Sequence, residues 1–467
     1  MIAKIIVDNK SKQVDKPFDY LVPKELEGKI KIGSRVLVPF SSGNREIEGF
    51  CVGTADTSDS KRLKSIIRTA NDSIGFDEDM LELIEWMHKK YLASYLDIIH
   101  TIVPSGTALK TKEWIILENK SEEKSEIRRR ITEILTDNGG SMEFKGLKEM
   151  CGVDIQNQVR AMIKEGTLKK EYRQSVDIKD KKIKCVKLIC DRETALESAE
   201  ILRRKAPVQA KMLEVLSENE YVSLADLQKF TNGSHSTVKA LEKKNLVNVF
   251  DMTVERDPYW NRVFEKTEKM VPTPEQEYAI DEITNSVKSG DGGIYLLHGV
   301  TGSGKTEVFM QTIENVINMG KSAIMLVPEI SLTPQMVSRF MSRFGGRVAI
   351  FHSGLSAGER YDQWKKIRDG EADIVIGARS AIFTPLKNIG VIIMDEEHSD
   401  TYKSDMSPRY HARETAIFRA SQFGAAVVLA SATPSVESYY KAQTGEYKLL
   451  EMNTRYNKNK MPEISVI

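Results

Sequence analysis

The chain has 467 residues and a mass of 52.7 kDa; 40% of its residues are hydrophobic and 29% are charged. This composition is that of a soluble globular protein, and the length exceeds one ordinary core, so about three domains are expected. The formal net charge is only +1. A net charge this small excludes the class of proteins that bind nucleic acid through their overall charge. Any surface that binds nucleic acid must therefore be a local one.

The cysteines and the apolar runs indicate the cellular compartment. Cys51, Cys151, Cys185 and Cys190 are scattered and form no C-x-x-C pair, which argues for a reducing compartment and against a zinc site in this chain. No apolar run approaches the roughly 18–20 residues of a membrane span, and no signal peptide opens the chain. We therefore predict a cytoplasmic protein with no membrane partner.

The first 110 residues are predicted to form a small β domain with a helix after it. Between residue 3 and about residue 52, short runs rich in β-branched and aromatic residues are separated by Pro and Gly, as in a small barrel or curled sheet. The runs are 5–7, 18–22, 35–38 and 47–52. A helix is predicted over about 77–93, with one apolar face and acidic residues in its first turn.

Residues 120–262 contain an internal repeat. Residues 130–135 (RITEIL) match 211–216 (KMLEVL), and 159–162 (VRAM) match 238–241 (VKAL). Each copy has the winged-helix order of three helices followed by a basic β-like segment, which gives two units at 111–192 and 193–262. The third helix of such folds commonly lies in a DNA groove, but the fold serves equally as a protein-interaction module. Both readings stay open, since neither third helix has a dense basic face.

From residue 263 to residue 467 strands and helices alternate, which predicts a parallel sheet covered on both faces. The predicted strands are 293–298, 322–327, 347–351, 373–376, 390–394 and 425–430, and the predicted helices are about 305–319, 332–344, 356–369 and 412–423.

A phosphate-binding loop lies between the first strand and the first helix of this lobe. Residues 299–306 read GVTGSGKT and fit G-x-x-x-x-G-K-[ST]. Glycines let backbone N–H groups close around phosphate oxygens in front of a helix N-terminus. Lys305 is expected to reach the β and γ phosphates, and the Thr306 hydroxyl to complete a Mg²⁺ shell. The predicted nucleotide-binding residues are Gln276, Gly299, Val300, Thr301, Gly302, Ser303, Gly304, Lys305 and Thr306.

An acidic motif follows the apolar run 391–394, at the strand end where open α/β sheets bind ligands. Asp395 is expected to hold Mg²⁺ together with Thr306, and Glu396 to polarise the attacking water. Lys305, Asp395 and Glu396 are therefore the predicted catalytic residues, with ATP and Mg²⁺ as cofactors.

Several short motifs follow one another in a diagnostic order. They are TPEQ at 273–276, PEISLTPQ at 328–335, IGARS at 376–380 and ASATP at 430–434, with the phosphate loop and the acidic motif among them. Gln276 offers a donor and an acceptor, enough to read the adenine edge. Each motif alone is weak, since Ser and Thr at strand ends are usually turn residues. Together they resemble the successive motifs of superfamily 2 helicases.

The exact residues of these and other motifs point to a narrower family. DEEH at 395–398, the loop 402–413, PEISLT at 328–333, FDY at 18–20 and RVLVPF at 35–40 resemble the PriA family of replication-restart helicases, also called primosomal protein N′. The resemblance implies a pocket for a nascent DNA 3′ end lined by Phe18, Asp19, Tyr20 and Lys64. In such a pocket a carboxylate accepts a hydrogen bond from the 3′-hydroxyl, an aromatic ring stacks on the terminal base and a lysine binds a phosphate. Barrel core is the alternative role for Phe18 and Tyr20.

The sequence departs from that family at two points. The family usually has Gly directly after Pro-Phe, where this chain has Ser41, and it tends to have one winged helix, where this chain has two. The family also continues beyond the first helicase lobe with a zinc-binding insertion, a second lobe carrying arginine fingers and a C-terminal domain. We therefore expect the 467 residues to be an N-terminal part that is nearly inactive alone, with zinc only in the remainder.

The resemblance also implies a fold, roles for further residues and a set of partners. The fold is a multidomain α/β protein with a β-barrel-like 3′-end-binding domain (1–110), two winged-helix-like units and a RecA-like ATPase lobe (263–467). Glu397, His398, Ser431 and Thr433 would couple nucleotide state to DNA. Arg379, Tyr402, Arg409, Tyr410 and Arg413 would contact single-stranded DNA, because aromatic rings interleaved with cations suit base stacking.

The implied activity is that of an ATP-dependent DNA helicase. It would recognise stalled or abandoned replication forks, unwind the lagging-strand arm 3′ to 5′ and initiate primosome assembly near the bacterial nucleoid. Its partners would be fork DNA, single-stranded DNA, single-strand-binding protein and primosome loading proteins. Two alternatives stay open: another superfamily 2 translocase of fork-reversal or restriction type, and a fork-specific binding scaffold whose ATP turnover is dispensable.

Overall fold

The computed structural model describes residues 1–9, 11–41, 45–60, 62–69, 75–103, 109–119, 125–176, 181–254, 256 and 267–456. The chain divides into two compact units, one made of Met1–Ile178 with Val263–Ile467 and one made of Lys179–Arg262. Within the described ranges, no helix combines the length and the apolar character that crossing a membrane requires.

The N-terminal region is a six-stranded sheet, which confirms the predicted β character. Its strands are β1 (Ile2–Val7), β2 (Phe18–Leu21), β3 (Arg35–Phe40), β4 (Arg45–Ala55), β5 (Lys64–Ser65) and β6 (Arg68–Thr69), in the order β5-β2-β1-β4-β3-β6. The amide of Ile66 donates to the carbonyl of Leu21 at 2.9 Å, and the amide of Ile67 donates to that of Leu37 at 2.9 Å. The segment that ends the sheet therefore contacts both β2 and β3.

Two helices follow this sheet, α1 (Glu78–Tyr91) and α2 (Tyr95–Ile102). Asp77 begins α1, because its carboxylate accepts from the amide of Met80 at 3.2 Å. The apolar face of α1 packs against the helicase lobe, and Trp86 stacks on Phe418 with 4.6 Å between ring centroids. The sequence predicted α1 but not α2, which is too short to show a clear helical period.

The next part of the first unit is a small helical domain. Its elements are β7 (Leu109–Leu117), α3 (Glu126–Asp137), β8 (Ser141–Glu143), α4 (Phe144–Cys151), α5 (Gln156–Lys164) and β9 (Leu168–Val176), with strand order β8-β7-β9. Three helices and a following strand are the element order that the sequence repeat predicts. Ile131, Leu135, Leu147 and Val159 lie in its buried core.

The second unit has a similar set of three helices, α7 to α9, preceded by an additional helix, and it has its own sheet. Its elements are β10 (Lys181–Leu188), α6 (Arg192–Leu202), α7 (Pro207–Ser217), β11 (Val222–Ser223), α8 (Leu224–Thr231), α9 (His235–Lys243) and β12 (Val247–Val254), with strand order β11-β10-β12. The strand at 181–188, which the repeat placed at the end of the first helical domain, pairs with β12 from Lys181↔Val254 to Leu188↔Val247. Sequence similarity could not show this pairing, because the partner strand lies about sixty residues away.

The helicase lobe is a parallel sheet with helices on both faces, as predicted, but it has seven strands where the sequence predicted six. Its helices are α10 (Pro274–Ser289), α11 (Lys305–Asn318), α12 (Pro334–Phe344), α13 (Ala357–Arg368), α14 (Ala412–Phe423) and α15 (Val436–Gln443). Its strands are β13 (Gly293–Gly299), β14 (Ser322–Leu326), β15 (Val348–Phe351), β16 (Ile374–Gly377), β17 (Ile389–Met394), β18 (Ala426–Ser431) and β19 (Lys448–Met452). The order β15-β16-β14-β17-β18-β13-β19 places the ends of β17, β18 and β13 side by side.

Candidate nucleotide and DNA sites

The carboxyl edge of the parallel sheet carries a cavity of about 550 Å³. The phosphate loop follows β13 and the acidic motif follows β17, and only β18 lies between these two parallel strands, so both motifs reach the same edge of the sheet. The residues that line the cavity include Gln276, Thr301, Gly302, Ser303, Gly304, Lys305, Thr306, Asp395 and Glu396. The structure therefore brings the predicted nucleotide-binding and catalytic residues together, and Gly299 and Val300 lead into the loop.

Gln276 braces the phosphate loop. Its buried side chain donates from Nε2 to the carbonyl of Ser303 at 2.7 Å, and its Oε1 accepts from the amide of Thr273 at 2.9 Å. Gly304, at φ +86°, has no room for a side chain, because a Cβ there would lie 2.3 Å from Nε2 of Gln276. Gln276 thus holds the phosphate loop in shape, and one hydrogen of its side-chain amide is still uncommitted.

The charged groups of the cavity are held in unfavourable surroundings. Lys305 donates to the carbonyl of Gly299 at 2.7 Å, and burial lowers the pKa of its ammonium. Burial, reinforced by the charge of Glu396, raises the pKa of Asp395 from 3.8 to about 6. Burial thus destabilises the charged forms of both Lys305 and Asp395. A charged ligand in the cavity would compensate for this loss of hydration at both groups.

The residues present fit a Mg²⁺-bound nucleoside triphosphate. Among the described residues, the hydroxyl of Ser303 is buried without a hydrogen-bond partner and therefore has a free donor in the loop that would surround phosphate oxygens. Thr306 and Asp395 supply the oxygen ligands that Mg²⁺ prefers. Glu396 has φ +47°, a left-handed conformation that is uncommon for such a residue and is found at functional turns.

Three of the four predicted coupling residues form one hydrogen-bonded chain. Nδ1 of His398 and the hydroxyl of Ser431 lie 2.8 Å apart, and the amide of Thr433 donates to the same hydroxyl at 2.9 Å. Ser431 is fully buried at the end of β18. The acidic motif and the Ser-Ala-Thr motif are therefore in direct contact.

Glu397, the fourth coupling residue, lies in a separate buried cluster. Its carboxylate accepts from the amide of Ser435 at 2.6 Å, from the hydroxyl of Ser438 at 2.9 Å and from Nη1 of Arg413 at 3.2 Å. Nη1 of Arg413 is therefore engaged by this cluster, and the contact of Arg413 with single-stranded DNA stays a prediction. The sequence missed Ser435 and Ser438, whose only signal is Ser435 at the N-cap of α15.

The aromatic residues of the 402–413 loop are not available to DNA. Tyr402 is fully buried, and its hydroxyl donates to the carbonyls of Asp395 at 2.6 Å and Leu326 at 3.1 Å. Tyr410 is 3% exposed and packs edge-on against Phe383. Their predicted stacking on bases is wrong, since both rings are buried, Tyr402 against the backbone of the acidic motif and Tyr410 against Phe383. Periodicity cannot distinguish a buried ring from an exposed one in a loop.

Two cations of that predicted set stay accessible. Arg409 is exposed. Nη1 of Arg379 donates to the carbonyls of Thr401 and Lys403, at 3.2 and 2.5 Å, and so holds the loop while its side chain stays at the surface. Arg379 and Arg409 are therefore the most accessible of the residues predicted to contact single-stranded DNA.

Sequence reasoning missed Arg343 altogether. Its guanidinium donates to the carbonyl of Glu268 at 2.9 Å and pairs with Glu314 at 3.2 Å and Glu307 at 3.4 Å, while its side chain lines the nucleotide cavity. These contacts tie the segment before α10 to α11. No short motif connects positions this far apart in the chain.

The predicted 3′-end residues lie on the two paired strands β2 and β5, but on both faces of the sheet. Tyr20 is 4% exposed and belongs to the core, so its proposed stacking on a terminal base is wrong. Phe18 packs edge-on against Phe40, with 5.6 Å between centroids. Because side chains alternate along a strand, Asp19 points to the other face. Its carboxylate accepts from the hydroxyl of Ser58 at 2.5 Å.

Lys64 stands beside the position where the chain departs from the family pattern. Its ammonium donates to the carbonyl of Ser41 at 2.6 Å. Ser41 has φ +61°, in the left-handed region that favours glycine. The backbone conformation therefore explains why a glycine suits this position, and the serine keeps that conformation at some cost in strain.

Comparisons with known proteins assign both ends of the chain. Residues 4–104 match the family described as the PriA 3′DNA-binding domain, and residues 273–442 match DEAD/DEAH box helicase. The chain is 39% identical over 470 residues to the replication restart protein PriA of Bacillus subtilis, covering 100% of this chain and 57% of that protein. It is 32% identical over 487 residues to the PriA of a Synechocystis species, covering 100% of this chain and 56% of that protein.

A third relative matches over a shorter stretch. The PriA of Treponema pallidum is 46% identical over 202 residues, covering 43% of this chain and 30% of that protein. The chain spans about half the length of the first two relatives. A 3′DNA-binding domain, a DEAD/DEAH box helicase domain and similarity along the whole chain together place it in the PriA family of replication restart proteins.

Proposed function

We propose that this chain is the fork-recognising and ATP-binding part of a DNA helicase that acts in replication restart. The observation that carries the proposal is the presence, in one compact unit, of a 3′DNA-binding domain and a helicase lobe with its phosphate loop and acidic motif in one cavity. Its substrates are ATP and forked DNA with a 3′ end at the junction. Single-strand-binding protein and primosome loading proteins are its protein partners.

The cavity residues have distinct tasks in this proposal. The loop amides and Lys305 bind the phosphates, while Thr306 and Asp395 hold Mg²⁺, which neutralises charge that develops on the phosphates. Glu396 orients the attacking water. The His398–Ser431 contact passes a change at the acidic motif to β18, because both lie in one hydrogen-bonded chain.

The smaller domains bind DNA. The N-terminal sheet is barrel-like, which is supported by the contacts of the segment after β5 with both β2 and β3. The two helical units are winged helices, one at 109–176 with three helices and one at 181–254 with four, and each has its own three-stranded sheet. The second has β10 as part of its sheet, with Lys182 and Lys184 exposed, so its basic strand suits phosphate contacts.

The 3′-end pocket is tested through Asp19, the predicted residue that faces away from the core. Asp19→Ala should weaken binding to a fork with a 3′-hydroxyl at the junction by about 1–3 kcal/mol, because a charge-assisted hydrogen bond is lost. Fluorescence anisotropy with matched forks ending in 3′-hydroxyl or 3′-phosphate measures the difference. Ser58→Ala is the control, since it removes the protein partner of Asp19 and leaves the carboxylate.

The two forks also separate the family from other superfamily 2 translocases. Under the proposal, the wild type prefers the 3′-hydroxyl fork and Asp19→Ala removes that preference. Equal binding of the wild type to both forks would favour a translocase without end recognition. An equal loss on both forks would assign Asp19 a structural role.

Lys305→Ala separates a motor from a binding scaffold. In the wild type, a non-hydrolysable Mg·ATP analogue should change fork affinity by about fivefold or more, the usual range for coupled sites. In Lys305→Ala the analogue should have no effect, while fork affinity without nucleotide stays within about twofold of the wild type, because the lysine lies in the nucleotide cavity. A wild type whose fork affinity ignores the nucleotide would support the scaffold alternative.

A further inference from the structure

A second cleft lies where the N-terminal domain meets the helicase lobe. Its volume is about 520 Å³. One wall consists of residues 28, 29 and 31–34, before β3, and residues 75–77, before α1. The other wall consists of Trp364, Arg368, Pro385 and Lys387 from the lobe. Both walls belong to the first compact unit.

The cleft concentrates positive charge. Lys29, Lys31, Arg368 and Lys387 line it, against one carboxylate, Asp77, so the lining has four positive groups and one negative group. This local excess of +3 exceeds the net charge of +1 of the whole chain. A local basic surface of this kind is what a nearly neutral chain needs to bind a polyanion.

The lining charges are mostly free to meet a ligand. In the parts of the chain that the structure describes, Lys29, Lys31 and Lys387 form no ion pair, although Lys387 interacts electrostatically with Asp79. Arg368 donates to Asp369 at 2.8 Å in an exposed pair, which contributes little by itself. The carboxylate of Asp77 is already engaged by the amide of Met80, at 3.2 Å.

The cleft is distinct from the nucleotide site. Arg368 ends α13 and Lys387 precedes β17, so both lie at the amino edge of the parallel sheet. The phosphate loop and the acidic motif lie at the carboxyl edge. A ligand in the cleft would therefore touch the opposite side of the lobe from ATP.

Close backbone packing fixes the shape of the N-terminal wall. A Cβ at Gly33 would lie 1.6 Å from the carbonyl oxygen of Phe76, and a Cβ at Gly75 would lie 2.0 Å from that of Gly33. The loop before β3 and the residues before α1 therefore cross at van der Waals contact. This packing holds the two segments of the N-terminal wall against each other.

The chemistry of the walls favours duplex over single-stranded DNA. Single strands are bound by exposed aromatic rings on which bases stack. The aromatic residues of the cleft, Phe76 and Trp364, are only 7% and 4% exposed. The accessible groups are cations, which contact phosphates without regard to sequence.

The position of the cleft relative to β3 agrees with binding of a duplex arm of the fork. The cleft lies at the start of β3, whereas Ser41 and Lys64 of the candidate 3′-end site lie at its end. Six strand residues span about 20 Å, which corresponds to roughly six base pairs at 3.4 Å each. We propose that this cleft binds the sugar–phosphate backbone of a duplex arm of the fork, an inference that rests on the proposed fork binding.

The test reverses two charges, one on each wall. The variant is Lys31→Glu/Lys387→Glu in the full chain, and the probe is a duplex of about 20 base pairs closed by hairpins, which offers no 3′ end. Affinity for this probe at about 0.1 M salt should fall about tenfold. The slope of log affinity against log salt should become shallower by about two, since each phosphate contact contributes about 0.9.

The matched control is Lys89→Glu/Lys288→Glu. It makes the same change of net charge at two exposed lysines, one at the far end of α1 and one in α10. The control should stay within about twofold of the wild type with an unchanged salt slope. Equal unfolding temperatures for the two variants exclude loss of folding as the cause of weaker binding. If only the cleft variant unfolds at a lower temperature, the titration is repeated with Lys31→Gln/Lys387→Gln.

The outcomes distinguish this inference from the proposed function. If the wild type binds fork DNA but the cleft variant has the salt slope of the control, the inference is overturned and the proposed function stands. If the wild type binds neither the fork nor the closed duplex, the proposed function itself fails. A cleft variant that loses oligo(dT) binding as strongly as duplex binding overturns the assignment to a duplex arm.

Discussion

Glu397→Ala should lower the free energy of unfolding of the helicase lobe by about 3–5 kcal/mol, the usual cost of removing one partner of a buried ion pair. The side chain of Glu397 is fully buried and that of Arg413 is 16% exposed. The substitution leaves the guanidinium and the donors of Ser435 and Ser438 without their common acceptor. Urea unfolding followed by circular dichroism measures the loss.

The double variant Glu397→Gln/Arg413→Met isolates the charge. It removes both charges and keeps an acceptor for the serine donors, so it should be more stable than Glu397→Ala by at least about 2 kcal/mol. Glu414→Ala, at a partly exposed carboxylate near Arg413, is the single-site control and should cost less than about 1 kcal/mol. A Glu397→Ala variant as stable as this control would show that the cluster does not hold the end of β17 to α15.

Asp395→Asn should stabilise the nucleotide-free chain while abolishing its response to Mg·ATP. The pKa of Asp395 is raised from 3.8 to about 6, so keeping this carboxylate charged at pH 7 costs about 3 kcal/mol at 1.36 kcal/mol per pH unit. The asparagine avoids that cost. Thermal unfolding at pH 7 should therefore give a higher Tm than for the wild type, and adding Mg·ATP should raise the Tm of the wild type alone.

The pH dependence has a definite sign. Because the folded chain holds the Asp395 proton more tightly, this group contributes stability that is full below about pH 4 and is lost as the pH rises to about 6. The Asp395→Asn variant should lack that decline, so its advantage over the wild type should grow between pH 4 and 6 and then stay constant. Asp281→Asn, at an exposed carboxylate of α10, is the control. An advantage that is the same at pH 4 and pH 7 would contradict the assignment.

The sequence predicted the helicase lobe because its signals are local. The loop 299–306 and the acids at 395–396 each follow a buried strand, and parallel strands align their carboxyl ends, so chain order alone placed Lys305 beside Asp395. The strands of the lobe were located for the same reason, since a fully buried strand is a continuous apolar run. The exception is β19, which follows the short helix α15 and was not predicted from the sequence.

The sequence failed where exposure decides the role of a residue. Tyr402 and Tyr410 lie in a loop with the composition of a base-stacking site, yet both rings are buried, and the guanidinium of Arg413 donates to Glu397. Tyr20 likewise fills the core of the N-terminal sheet. Aromatic and cationic side chains serve both roles, so their type and spacing cannot separate them.

The sequence by itself thus determined the order of the domains, the parallel sheet and the chemistry of the nucleotide cavity, because each depends on residues close together in the chain. Only the tertiary structure decided which cations face solvent, that β10 pairs with β12, and that Lys31 and Lys387 line one cleft. Those facts depend on contacts between residues that are far apart in sequence. Such contacts form when the hydrophobic cores of separate elements are buried together, and no local pattern records them.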